Sequence, residues 1–292
     1  MYANKDVILQ LIKDSSIQVN QQDINEILEQ LEIANAGDVE AMVNIAKTYK
    51  KFKKYDGYLF WLQSASSKGY PDAQYLLANC YIDGEFMEED YDEAFKLYKK
   101  AAEAGHPDAA NNLADMYMNG ESVEVNEKEA LKWFTFAAEK NIPEAMFTLG
   151  ILYEQGIGVE INEQLAFEYY LHSAYNGYDE AQYRIGSIYF EGILGVERNM
   201  AEAIHWFEKA ANQYQVDALF NLGYIYENGI SVKQNGKKAI QYYNQAALLG
   251  DFQSMINIAH IHEHGIDVKK DLEKAKKWRL RAEKQMIEIE KK

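Results

Sequence analysis

The stretch AMFTLGILYEQGIGVEINEQLAFEYYLHSAYNG, Ala145 to Gly177, recurs along the chain in altered form. Its opening block, AMFTLGILYEQG, aligns with AQYRIGSIYFEG (Ala181 to Gly192), AANNLADMYMNG (Ala109 to Gly120) and AQYLLANCYIDG (Ala73 to Gly84), in steps of 36 residues. ALFNLGYIYENG (Ala218 to Gly229) and SMINIAHIHEHG (Ser254 to Gly265) continue the series, and AMVNIAKTYKKF begins a degenerate first copy at Ala41. A fixed period of this length marks a solenoid, whose units bury their apolar faces only by stacking on their neighbours.

Each unit carries two helical patterns. In the first block, small and apolar residues fall at i, i+4, i+5 and i+8, as at Ala145, Leu149, Gly150 and Tyr153. In the second they fall at i, i+3, i+4, i+7 and i+8, as at Ala203, Trp206, Phe207, Ala210 and Ala211. Both periods give one apolar stripe on a helix. The unit therefore reads as helix A, a glycine loop, helix B and a short turn. Gly150, Gly186 and Gly223 fall in the middle of helix A, where glycine costs about 1 kcal/mol against alanine. Ala46, Ala78, Ala114 and Ala259 hold the same slot, which predicts that helix B crosses close there. Trp61, Trp133, Trp206 and Trp278 share one position of helix B, with Leu97, Tyr169 and Tyr242 in the alternate copies, and read as core. Pro71, Pro107 and Pro143 each begin a helix A and are followed by an acid that meets the positive end of the helix dipole. Gly84, Gly120, Gly156, Gly192, Gly229 and Gly265 read as its C-terminal caps.

The pattern A-x3-LG-x2-Y-x2-G-x-GV followed by A-x2-WY-x2-AA resembles the Sel1-like repeat family, over Ala34 to about Glu283. Tetratricopeptide repeats are related but run to about 34 residues. The copies at the ends depart from the pattern: the first is four residues short, the second has EFMEEDY (Glu85 to Tyr91) in place of the GV loop, and the last has His262 for the tyrosine. The resemblance implies an all-α fold, a right-handed α/α superhelical solenoid of about seven helix-pair repeats with capping helices at both ends. The expected organisation is N-terminal capping helices over 1–33 and a repeat region over 34–284. Its units lie near 34–69, 70–105, 106–141, 142–177, 178–214, 215–250 and 251–284, with a C-terminal helix end or tail over 285–292.

The formal charge of −16 is uneven: ten Lys/Arg against six Asp/Glu from Asp267 onward leave 20 against 40 in the rest. Such a body repels nucleic acid and anionic membranes and favours a basic or mixed-charge partner. No apolar run is long enough to span a bilayer, and MYANKDVILQLIKDSS has neither a basic n-region nor an adequate apolar h-region, so a cytoplasmic protein is expected. Cys80, the only cysteine, stands where other copies have Met116, Leu152 or Ile188 and reads as a core residue. No phosphate loop, nucleophile elbow or paired-cysteine zinc spacing is present, so neither catalytic residues nor a cofactor are expected. His260 and His264, four apart on one helical face, are a weak metal candidate lacking a third ligand. Lys47, Lys50, Lys51, Lys53 and Lys54 form a local basic run that reads as a solvated face.

In a solenoid of this hand the A helices line the concave face. With core positions removed, that face falls to the fourth, seventh and eleventh residues of each A block. The fourth is Asn in four of seven units and reads as structural. The variable seventh and eleventh positions give the expected partner-binding groove: Asn79, Asp83, Asp115, Asn119, Ile151, Gln155, Ser187, Glu191, Tyr224, Asn228, His260 and His264. Asp115 and Glu191 are expected to be exposed, and Ile151 and Tyr224 to be apolar anchors. The expected function is a non-enzymatic scaffold that engages another protein there. The resemblance also implies three alternatives: an immunity protein that occludes a bacterial toxin, a secreted effector and, remotely, a hydrolase.

Overall fold

The structure, a computed structural model, describes residues 2–289, and among these every regular element is an α-helix. Met1 and residues 290–292, the end of the expected C-terminal tail, lie outside the described residues. The chain divides into two compact units, Met1–Ala145 and Met146–Lys292.

The first unit holds α1 (Lys5–Asp14), α2 (Gln21–Asn35), α3 (Val39–Lys51), α4 (Tyr55–Ser67), α5 (Pro71–Asp83), α6 (Tyr91–Glu103), α7 (Pro107–Asn119) and α8 (Glu127–Glu139). From α2 onward each helix packs on the one before it. The α3–α4 pair has the same 13-residue build as the α5–α6 and α7–α8 pairs. Helix α1 buries Ile8, Leu11 and Ile12 in one cluster with Tyr49 and Trp61. The Tyr2 carbonyl accepts hydrogen bonds from Tyr49 Oη at 2.8 Å and Trp61 Nε1 at 3.3 Å, which ties the N-terminus over the first pair. Cys80 is buried against Tyr58, and that burial pushes its thiol pKa up, as expected of a core residue.

The second unit holds most of α9 (Pro143–Gln155), then α10 (Glu163–Tyr175), α11 (Asp179–Glu191), α12 (Met200–Ala211), α13 (Val216–Asn228), α14 (Gly236–Leu248), α15 (Phe252–His264) and α16 (Leu272–Ile289). Helices α10 to α16 again pack in chain order.

Each helix starts and stops for a local reason. The A helices α5, α7 and α9 begin at their prolines. Left-handed glycines close the A helices: Gly84, Gly120, Gly192, Gly229 and Gly265 stand at the C-caps, and Gly156, at φ 74°, follows α9. The B helices begin at Asp90, Asn126, Asn162, Asn199, Asn235 and Asp271, whose side chains accept the backbone N–H three residues on. The N–H of each of these residues is in turn bonded to a carbonyl of the preceding helix A, from Tyr81, Tyr117, Tyr153, Tyr189, Tyr226 and His262. The loop therefore closes at one point on every A helix, so that helix B always leaves at the same place.

The glycine slot is where the two helices meet. A methyl group added at Gly150 would lie 2.5 Å from the Tyr170 ring; at Gly186 it would lie 2.6 Å from Phe207, and at Gly223 2.5 Å from Tyr243. All three rings are buried. The ring over the slot belongs to the residue after the tryptophan position, not to that position itself. The tryptophans also divide, against the expectation that all are core. Trp61 and Trp206 are buried, whereas Trp133 and Trp278 are half-buried. The Lys132 ammonium stands 4.9 Å from the Trp133 ring and the Arg281 guanidinium 4.8 Å from the Trp278 ring, an arrangement that tolerates a wet indole face. In the last pair, Arg279 and Glu283 stand where α14 has the buried Tyr243 and Ala247, so the outer side of α16 is polar.

Two stability predictions follow from this packing. Gly223→Ala improves intrinsic helix propensity by about 1 kcal/mol, yet a methyl 2.5 Å from a buried ring forces the helices apart. A thermal melt is expected to show a net loss of several degrees; a gain would mean that Tyr243 yields freely. Trp206, 2% exposed and edge-on to Tyr175 at 5.1 Å, is expected to cost about 3–5 kcal/mol on substitution by alanine. Chemical denaturation measures this, and an unchanged midpoint would contradict the packing described.

Candidate functional site

The eleventh position of each complete A block, at Asp83, Asn119, Gln155, Glu191, Asn228 and His264, is exposed in every copy. It is the last residue of helix A, one before the glycine, where the chain has already left the helix B it packs on. Five different side chains are offered at one backbone position, from carboxylate to amide to imidazole.

The seventh position behaves differently from copy to copy. Tyr224 is open, at 44% exposure, and His260 is exposed. Asn79 is half-buried because its Oδ1 accepts the Tyr98 hydroxyl at 2.6 Å. Ile151 is half-buried against the cluster around Tyr170, so it offers only part of an apolar anchor. Ser187 is buried, its Oγ donating to the Tyr183 carbonyl at 3.1 Å, and it offers no surface. Asp115 is half-buried, contrary to the expected exposure, on a helix that packs against both α6 and α8. Glu191 is exposed as expected.

What the sequence reading missed is the polar network behind this row. In the first unit, the Tyr98 hydroxyl of α6 lies between Asn79 of α5 and Asn112 of α7. Burial above all pushes its pKa up to about 12. In the second unit, Tyr170 Oη donates to Glu154 Oε2 at 2.7 Å, and Arg184 of the next A helix pairs with the other oxygen. Tyr243 Oη donates to Glu227 Oε2 at 2.8 Å, Asn257 of the next A helix also bonds that hydroxyl, and His260 Nδ1 stands 2.8 Å from Glu227 Oε1. Burial, then the adjoining carboxylate, raises the pKa of both tyrosines. Glu227 itself is buried, so this contact compensates a carboxylate that water reaches poorly. The fourth-position residues Asn112, Arg184 and Asn257 thus serve the tyrosines of the preceding helix, as their structural reading anticipated.

His260 and His264 pack ring to ring at 4.5 Å, His260 is engaged by Glu227, and no group of three metal-capable side chains converges among the described residues. His262 takes the tyrosine slot with its Nδ1 buried and unbonded, and burial lowers its pKa. The lysine run divides as well: the Lys50 ammonium stands 5.2 Å from the Tyr58 ring and 5.3 Å from Phe86, while Lys53 and Lys54 line a cleft with Tyr2, Asp6 and Asp14.

Asp115 is the one carboxyl of the row that burial alters. That burial, with Glu121 adding to it, pushes its pKa up to about 6. An aspartate titrates near 3.9 in an unfolded chain. The fold therefore holds this proton more tightly than the unfolded chain does, and stability falls as pH rises from about 4 to about 6. Asp115→Asn is expected to raise stability by about 1–2 kcal/mol at pH 7.5 and to have little effect at pH 4. Paired thermal melts at the two pH values check this; an equal gain at both would assign the effect to packing.

A scan against protein families matches Sel1 repeat at residues 71–106, 107–142, 143–178, 179–214, 216–251 and 253–285. The α3–α4 pair is not among the matched copies. No curated protein sequence matches the chain. Among solved structures, a Sel1 repeat protein from Oxalobacter formigenes is 31% identical, aligns over 83% of this chain and 99% of its own, and superposes with a TM-score of 0.74. The protective antigen c5321 of uropathogenic Escherichia coli, which displays an SLR fold, is 28% identical over 92% of this chain and 65% of its own, with a TM-score of 0.55. Immunity protein Pa5087 from Pseudomonas aeruginosa is 20% identical over 74% of this chain and 81% of its own, with a TM-score of 0.45, a likeness that says nothing about role. No described helix is long and apolar enough to cross a membrane. With six copies matched over most of its length, the chain belongs to the Sel1 repeat family.

Proposed function

We propose that the protein is a non-enzymatic scaffold that binds another protein through the exposed ends and faces of its A helices. The observation that carries this reading is the contrast between two kinds of position. The slots that hold the helices together repeat from copy to copy, while one exposed backbone site carries five different residue types, at Asp83, Asn119, Gln155, Glu191, Asn228 and His264. A rigid frame presenting a variable row suits recognition of a shaped partner. Tyr224 adds an open aromatic ring beside Asn228, whose amide donates to the Tyr224 carbonyl at 2.9 Å. Exposed tyrosines are frequent anchors of interfaces because they bury much area with few rotatable bonds. The net charge of −16 favours a partner with a basic or mixed-charge surface and an association that weakens as salt screens it.

The test is site-specific photo-crosslinking in the native cell. A crosslinker at Asn119 or Asn228 is expected to trap a defined protein adduct, and Tyr224→Ala is expected to reduce the Asn228 adduct about tenfold. The same crosslinker at the exposed helix B residue Lys132 serves as the reference. Adducts formed from Lys132 and not from the A-helix sites would overturn this reading.

A further inference from the structure

Partly buried carboxylates recur on the A helices; three of them meet a basic side chain of another helix, and Asp179, in the first turn of α11, meets the positive end of the helix dipole. Glu154 has Arg184 and the Tyr170 hydroxyl. Glu227 has His260 and the Tyr243 hydroxyl. Glu263 has Arg279 of α16. Asp115 has none: among the described residues no lysine, arginine or histidine forms an ion pair with it, and its one hydrogen bond is a long 3.4 Å contact from the Asn111 amide. Glu121, of the same sign, adds to the effect of burial on it. Neither α5 nor α7 carries a basic residue anywhere along its length. Lys96 of α6 is exposed and already paired with Glu93, and on α8, which also packs against α7, Lys132 is exposed and paired with Glu129 while Lys128 is exposed.

The surroundings of Asp115 are acceptors in excess of donors. Asn111 turns its amide nitrogen toward both Asp115 and Asn112 Oδ1, at 3.4 Å each, which leaves its own carbonyl oxygen buried and without a partner. Asn119 is occupied with Glu121, its amide donating to Oε1 at 3.4 Å. A buried acceptor without a donor is costly, as is a poorly solvated carboxylate without a counter-charge.

We propose that the surface of α7 around Asp115 is a receptor for one arginine side chain of the bound partner. The planar guanidinium offers five N–H donors in a fixed fork, enough to engage the Asp115 carboxylate and neighbouring amide oxygens together. It is also less strongly hydrated than an ammonium, which suits a half-buried seat. This deepens the protein-binding reading and rests on it for the owner of the arginine. Unbound, the carboxyl holds its proton up to about pH 6; a seated guanidinium stabilises the ionised form and draws that midpoint down.

The experiment is a carbon-13 NMR titration of the Asp115 carboxyl in the full chain, with its resonance assigned from Asp115→Asn. The probe is N-acetyl-arginine methylamide at high concentration. The controls, at matched ionic strength, are the neutral citrulline analogue and the lysine analogue. The other groups around the site, Glu121, Asp83 and the Tyr98 hydroxyl, are followed in the same or companion spectra. The arginine probe is expected to lower the Asp115 midpoint by about half a pH unit, a threefold preference for the ionised carboxylate. It should also shift the Asn111 and Asn112 side-chain amides, and Asp115→Asn should abolish those shifts. Equal effects of arginine and citrulline, or no change of midpoint, would overturn the proposal; equal effects of arginine and lysine would overturn its assignment to guanidinium. Photo-crosslinking that traps a protein at Asn119 while the arginine probe leaves Asp115 unmoved would sink the receptor and leave the scaffold reading standing. A moved midpoint with no crosslinked partner would do the reverse.

Discussion

The approach of an aromatic ring to a helix A that has no side chain to meet it is the constraint on which the rest of the structure depends. Tyr170, Phe207 and Tyr243 each lie over a glycine with no room for a methyl group. Glycine in mid-helix costs helix stability. What offsets the cost is burial of a whole ring and the van der Waals contact of two backbones drawn close. Once that distance is set, the loop must return at one place, and it does: the N–H of each B-helix capping residue bonds the same carbonyl on helix A. The cap then fixes where helix B begins, and helix B in turn presents its second alanine (Ala102, Ala138, Ala174, Ala211 or Ala247), buried in every one of these copies.

The ring's chemistry propagates outward from this contact. Where it is phenylalanine, at Phe134 and Phe207, the tenth position of the A block is Met118 or Phe190, and the neighbourhood stays apolar. Where it is tyrosine, the hydroxyl must be satisfied. Tyr98 uses Asn79, Tyr170 uses Glu154 and Tyr243 uses Glu227. Each carboxylate recruited in this way takes a further partner, which Arg184 and His260 provide from the next A helix. The polar face of the A helices is therefore not decoration laid over the core. It is partly the consequence of a hydroxyl placed in the core one helix away, and the copies alternate between the two solutions along the chain.

Much of this was legible in the sequence, because a repeat shows its own tolerances. The 36-residue step located the helix pairs, the three prolines and six glycines marked where A helices begin and end, and the small-residue slot announced the crossing. The B-helix caps, Asp90, Asn126, Asn162, Asn199, Asn235 and Asp271, carry an equally regular signal that the apolar pattern overshadowed. The candidate site was less legible. Seventh and eleventh positions look alike in a list of variable residues, yet the eleventh is exposed throughout while the seventh ranges from buried Ser187 to open Tyr224. Helical periodicity places both on one face. It does not reveal how far the next helix reaches across that face, and so it could not show that Asp115 is half-buried while Glu191 is not.

That difference matters for how such a scaffold can acquire specificity. An exposed carboxylate such as Glu191 is already solvated, and pairing it with a partner's cation exchanges one good environment for another, a gain of about 0–1 kcal/mol. A half-buried carboxylate with no counter-charge starts from a poor environment, so the same contact relieves a cost already present in the free protein. The chain spends helix stability at its glycines to hold its frame rigid. At Asp115 it holds a carboxylate without a counter-charge in a fixed place. Specificity in a repeat scaffold then comes from the few positions where the frame leaves a need unmet, rather than from the many where it presents a solvated side chain.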